Sequence, residues 1–219
     1  MRTEIYQLTD GIGLFNLKGE GENILYYDQR PLAIEWFDNQ GSIGKYLVRA
    51  GQRQLLDTQL KDLRYFAENG IPDYVALSQA AYPLLQLLAN GAYELIYPFN
   101  SQSFGLDLIE YGQTSVTHFY PTELTLISLQ KKSSLDISRI RYFEEQIQAG
   151  HRPILFALGS TLGADKYLLD GHHKAEAYGR LLQPPDVFFI RQCTVPGEGA
   201  LSREALAAGL DYLDFRLEP

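Results

Sequence analysis

Between Leu124 and Ile190 the spacing of apolar residues switches repeatedly between the strand and the helix period, and the order of those switches limits the fold more than any other feature of the chain. Leu124–Leu129 is a short run rich in apolar and branched residues and predicts a strand. A helix follows, with Ile137, Ile140, Phe143 and Ile147 on one face, Ser133 or Ser134 as its cap and Gly150 at its end. Pro153–Leu158 and Tyr167–Leu169 predict two strands separated by the polar turn Gly159–Asp165. A second helix opens at Gly171-His172-His173 and buries Ala175, Tyr178 and Leu181-Leu182. Pro184-Pro185 stops it, and Val187–Ile190 predicts a last strand. The order β-α-β-β-α-β describes an α/β or α+β unit.

The first half follows a different pattern. Glu4–Leu8, Gly13–Leu17, Asn23–Tyr27, Leu32–Phe37 and Lys45–Val48 predict short strands, with turn residues such as Asp10-Gly11 and Gly19-Glu20-Gly21 between them. Leu55–Asn69 has helical spacing and ends at Gly70-Ile71-Pro72. Ser78–Asn90 predicts a second helix with Ser78 as cap, although Pro83 moves its expected start towards Tyr82. Ala92–Tyr97 predicts a further strand, and the polar stretch 98–113 a linker or long loop. The fold class expected is therefore α+β: a β-rich N-terminal unit with two helices over residues 1–115, then a second domain over 122–219 whose tail, from Ser202, adds a short helix.

Composition narrows the function. The 219 residues carry 19 Lys+Arg against 27 Asp+Glu, a formal net charge of -8, and the densest basic point is Lys131-Lys132. An acidic surface of that kind repels a phosphate backbone, which argues against nucleic acid as a partner. The single cysteine, Cys193, excludes an intrachain disulfide and a cysteine metal cluster. The N-terminus lacks the apolar run of a signal peptide, and the longest apolar stretch is too short to span a bilayer. No membrane and a cytoplasmic setting are the expectations.

Two of the four histidines stand side by side in the turn Asp170-Gly171-His172-His173-Lys174. A strand that turns sharply into a helix exposes unpaired amides with partial positive charge, and Asp170 can cap them. His172, His173 and Lys174 add cationic donors at the same point, an arrangement that suits a phosphate or carboxylate. Imidazole can also act as general acid or base near neutral pH. Two blander alternatives stand beside these: a solvated loop, and a metal site from Asp170, His172 and His173. The metal alternative is weakened because consecutive helical residues diverge by about 100°.

The helix ISRIRYFEEQIQAG, the strand RPILFAL and the block YLLDGHHKAEAYGRLL followed by VFFIR occur in an order that resembles the ParB/sulfiredoxin superfamily, over roughly a third of the chain (about Leu124 to Arg191). The resemblance implies that Gly171, His172, His173 and Lys174 lie at a nucleotide's phosphates. The partner implied is a nucleotide or another phosphorylated small molecule, with ATP, ADP or CTP and Mg²⁺ as cofactors. Sulfiredoxins resemble Gly-Cys-His-Arg here and ParB proteins Gly-Glu-Arg-Arg; this chain has neither the cysteine nor the glutamate, and no ParB-like DNA-reading helices follow Arg191. The turn is closest to that of free-serine-kinase-like members. Their acidic base maps near Ser133 and Ser134, with Asp136 as a substitute.

The catalytic candidates are thus His172, His173 and Asp136, and the phosphate-binding candidates Gly171, His172, His173, Lys174 and Arg139, with Arg152 a further cation beside the helix. Two functions are expected from this set. One is nucleotide or phosphorylated small-molecule binding, with phosphoryl transfer or nucleotide hydrolysis if the site is active. The other is a non-catalytic binding or regulatory module, for example in bacterial defence, with a protein partner reached through the N-terminal domain. Glu144-Glu145 reads as a solvated face, Trp36 as core and Cys193 as an inert thiol.

Overall fold

The computed structural model describes residues 1–18, 22–28, 30–37, 43–48, 63–99, 107–109, 125–130, 132–161 and 166–193. It is an α+β fold built on a mixed sheet. Its strands are β1 (Arg2–Leu8), β6 (Gly91–Tyr97), β7 (Asp107–Ile109), β8 (Thr125–Ser128), β9 (Ile154–Ser160), β10 (Lys166–Asp170) and β11 (Asp186–Gln192), in the spatial order β1-β6-β11-β9-β10-β8-β7. A second sheet is the antiparallel meander β2 (Phe15–Lys18), β3 (Glu22–Tyr27), β4 (Arg30–Phe37) and β5 (Ile43–Val48). The helices among the described residues are α1 (Arg64–Asn69), α2 (Leu77–Leu85), α3 (Ile137–Gln148) and α4 (His172–Leu181).

The β-α-β-β-α-β order expected for the second half is present, with β8, α3, β9, β10, α4 and β11 in the expected places. Strand β9 pairs antiparallel with β10 and parallel with β11, and β10 pairs parallel with β8. All of β9 is buried, which is why ILFALGS shows no polar alternation. Its side chains nevertheless alternate between two cores. Leu155 and Ala157 join Leu126, Leu168, Val187 and Phe189 beneath Ala175 of α4. Ile154, Phe156 and Leu158 face the other way, into a core shared with Leu84 and Leu85 of α2 and with Phe15, Leu17, Leu25 and Tyr27 of the meander. A third cluster sets Ile140, Phe143 and Ile147 of α3 against Ala177 and Tyr178 of α4.

This layering departs from two separate units meeting between residues 115 and 122. Strands β1 and β6 belong by sequence to the first half, yet β6 pairs antiparallel with β11 and β1 with β6. The N-terminal half supplies β1, β6 and β7 to this sheet and, through α2 and the meander, also packs on one of its faces. The reason is the double-sided burial of β9 and β11: a strand apolar on both faces needs a layer on each.

Several element ends differ from expectation for physical reasons. Helix α2 runs straight through Pro83 rather than starting near Tyr82. An interior proline costs about 3 kcal/mol, but burial of Leu77, Leu84 and Leu85 returns roughly 1.5–3 kcal/mol for each. Ser78 does not cap α2 with its side chain; its amide donates to Glu4 Oε2 of β1 at 3.2 Å, so the cap arrives from a distant strand. Asp136, not Ser133 or Ser134, caps α3, its Oδ1 accepting from Ser138 N at 2.8 Å; the two serines lie in or beside a 3-10 turn, Lys132–Ser134. Gly150, at φ +92°, ends α3 as expected. Gly150 N donates to Ile147 O and His151 N to Gln146 O, the paired bonds of a left-handed C-terminal cap. The readings made for Trp36, for residues 55–62 and for the tail from Ser202 lie outside the described side chains or residues.

Candidate functional site

The turn after β10 is set by Gly171, whose φ of +102° and ψ of 23° are left-handed. The left-handed backbone calls for glycine, and a Cβ there would also meet Leu155 Cδ2 at 2.8 Å, so that side chain would have to shift. Helix α4 has no side-chain cap, and the expectation that Asp170 caps it is corrected. The carboxylate of Asp170 instead takes the Gly171 amide and the ammonium of Lys174, with Lys174 Nζ to Asp170 Oδ2 at 3.1 Å. Burial alone would raise the Asp170 carboxyl; the Lys174 charge and hydrogen bond and the Gly171 amide outweigh it and hold it below the usual carboxylate range.

The three side chains that follow point into the protein. His172 is 4% exposed, and His173 and Lys174 are 6% exposed. Leu129 N donates to His172 Nε2 at 3.2 Å, and Asp136 N donates to His173 Nε2 at 3.0 Å. An imidazole nitrogen that accepts an N–H carries no proton, so this network assigns both rings as neutral, with the proton on Nδ1. Lys174 Nζ also donates to Ile154 O at 3.1 Å and lies 5.8 Å from the Phe143 ring centroid. The solvated-loop reading of the turn does not hold.

The structure brings His173 and Asp136 together, as the sequence reading asked, but through the Asp136 backbone. The Asp136 carboxylate is held by Ser138, accepting from its Oγ at 2.7 Å as well as from its amide; these bonds keep the carboxyl below its ordinary range. Arg139, exposed on the first turn of α3, does reach the turn's outer side. It lines a small cleft with Phe143, Asp170, Lys174 and, from α1, Arg64 and Glu68. The cleft holds about 50 Å³. That admits a few waters or one small anion, whereas drug-sized ligands occupy about 300–1,000 Å³. Arg152 is elsewhere: it pairs with Asp186 at 2.9 Å and lies over the Tyr178 ring. His151 is exposed at the end of α3 and does not join the pair.

Three residues that sequence reasoning passed over belong to this region. Glu176, only 6% exposed, receives Lys132 Nζ at 3.0 Å and Arg180 Nε at 2.8 Å, and Arg180 also reaches Glu144 at 3.6 Å. The i,i+4 spacing of Glu176 and Arg180 was the available signal. Arg64 and Glu68 gave none, because α1 meets α3 and α4 only through the tertiary fold.

Among the described residues, no seat for a nucleotide or its magnesium is formed at the turn: both Nε2 atoms accept amides, Lys174 is engaged internally, and the cleft beside the turn is a fraction of a nucleotide's volume. Among the described residues no group of three or more His, Cys, Asp and Glu side chains is placed to hold a metal ion, and no helix is long and apolar enough to cross a membrane. No protein family, curated protein or solved structure matches the chain.

Proposed function

We propose that the chain is a non-catalytic binding or regulatory module, one that keeps a ParB/sulfiredoxin-like architecture and uses the residues of its phosphate turn to hold the fold together. One observation carries this reading: the imidazole nitrogens of His172 and His173 accept backbone N–H groups from Leu129 and Asp136, in the interior. A general base needs its lone pair directed at substrate, and a phosphate clamp needs free donors. Here the lone pairs are used, and the Lys174 ammonium is bound to Asp170 and Ile154 O.

A second reading is favoured by the cleft. Arg64, Arg139 and Lys174 meet there with Glu68 and Asp170, leaving one positive charge in excess in a chain of net charge -8. A phosphorylated small molecule could offer a single phosphoryl group to that spot.

Thermal melting separates the two. With ATP, ADP or CTP and Mg²⁺, and separately with inorganic phosphate, a bound ligand at a hundred times its Kd adds about 2.7 kcal/mol, roughly 5–10 °C for a chain of this size. The module reading expects no shift with any nucleotide, and a Lys174→Met variant that melts lower even without ligand. A nucleotide-dependent rise that Lys174→Met abolishes, with phosphate release seen by phosphorus NMR, would overturn it. A rise with inorganic phosphate that Arg139→Ala removes would support the second reading.

A further inference from the structure

We infer that His172 and His173 form a proton-sensitive latch on the connection from β8 to α3. The two adjacent imidazoles hold its two ends, Leu129 and Asp136, by the amide bonds at 3.2 and 3.0 Å. Between those ends lie the 3-10 turn Lys132–Ser134 and Leu135, which is buried in the α3–α4 cluster. A third tie, Lys132 to Glu176, fastens the middle. Both amide bonds require a bare Nε2. A proton on either ring would set N–H against N–H and leave a buried imidazolium, so binding of protons and closure of the connection exclude one another.

The surrounding charges decide whether the rings can take up protons at all. Asp170 at the end of β10 lies in electrostatic range of His172, and the Asp136 carboxylate at the start of α3 in range of His173. Lys174 on the same helix opposes protonation, but its charge is shared with Asp170. Lys132 and Arg180 pair with Glu176, which neutralises much of the charge on that side. Arg139 of α3, with Arg64 and Glu68 of α1, lines the cleft beyond Asp170 and Lys174. Strand β9 contributes no charged side chain. Asp170 and Asp136, though each is already bonded to a neighbour, place negative charge near the two histidines, which lowers the cost of an imidazolium once the amide has moved away.

The experiment is amide hydrogen exchange with residue resolution, combined with nitrogen chemical shifts of the two imidazoles, on the whole chain between about pH 7.5 and about pH 5. After correction for intrinsic exchange, protection at Leu129 and Asp136 is expected to fall by at least about tenfold over the range in which the rings take up protons. Amides in β9 and β11 keep theirs. His172→Gln with His173→Gln retains an acceptor that does not titrate, and is expected to hold protection across the same range. The inference is overturned if the rings titrate while protection at Leu129 and Asp136 stays constant. It is equally overturned if the rings stay neutral to about pH 5, or if protection is lost only together with that of β9 and β11. Should the double variant fail to fold, the wild-type shifts and exchange rates decide alone.

Discussion

Gly171 and Leu182 occupy the same kind of backbone with opposite consequences. At Gly171, a methyl would have to displace Leu155 and would sit on a left-handed backbone. Gly171→Ala should therefore destabilise by about 2–4 kcal/mol, the sum of strain and overpacking, read as a lower urea midpoint. Leu182 closes α4 at φ +54°; Leu182 N donates to Gly179 O and Gln183 N to Tyr178 O, in the cap geometry that glycine favours. Its side chain is 92% exposed and so contributes almost no packing. Leu182→Gly should stabilise by about 1 kcal/mol, and an unchanged or lower denaturation midpoint would refute this. Asp170 supplies the pH dependence at this scale. Its folded-state pKa lies below the unfolded value, so its contribution is complete above about pH 3.9 and disappears as pH falls through the folded value. The stability gap between wild type and Asp170→Asn should accordingly be widest near neutrality and close in acid, as measured by urea midpoints across pH.

Elements in this chain are ended and tied by groups far away in sequence. Glu4 of β1 accepts the Ser78 amide at the start of α2, and Arg2 of the same strand donates to the carbonyls of Ile71, Pro72, Asp73 and Val75 in the loop before it. A single edge strand thus holds the entrance of a helix that has no side-chain cap of its own. Glu4→Ala should lower stability by about 1 kcal/mol and raise amide exchange at Ser78 selectively. If Ser78 exchange is unaffected, the cap has no energetic weight. The periodicity of α3 and α4 was legible because amphipathic spacing depends only on neighbours within two turns. Their N-terminal caps were not. Asp136 serves rather than Ser133 or Ser134 because the serines lie in the 3-10 turn, and Leu135, which follows it, is buried in the cluster between α3 and α4.

Across the whole molecule, one sheet joins residues that the sequence pattern divided between two units. Expressed alone, residues 122–219 would lack β6 beside β11 and would expose Ile154, Phe156, Leu158, Phe188 and Ile190, which now face α2 and the meander. That fragment is expected to give no cooperative melting transition, while the whole chain melts as one unit; a sharp transition for the fragment would reinstate an independent second domain. The order of strands and helices in the second half, the sharp turn at Gly171 and the apolar faces of α3 and α4 were readable from local spacing, because each rests largely on interactions within a few residues; β7 was not, and falls in the stretch read as a linker or long loop. The inward aim of His172, His173 and Lys174 was not, since their partners Leu129, Asp136 and Ile154 come from other elements. A side chain that can donate to a ligand can equally serve an amide or carbonyl of its own chain. Composition and spacing are identical in the two cases; which one holds depends on what the folded backbone brings within hydrogen-bonding distance.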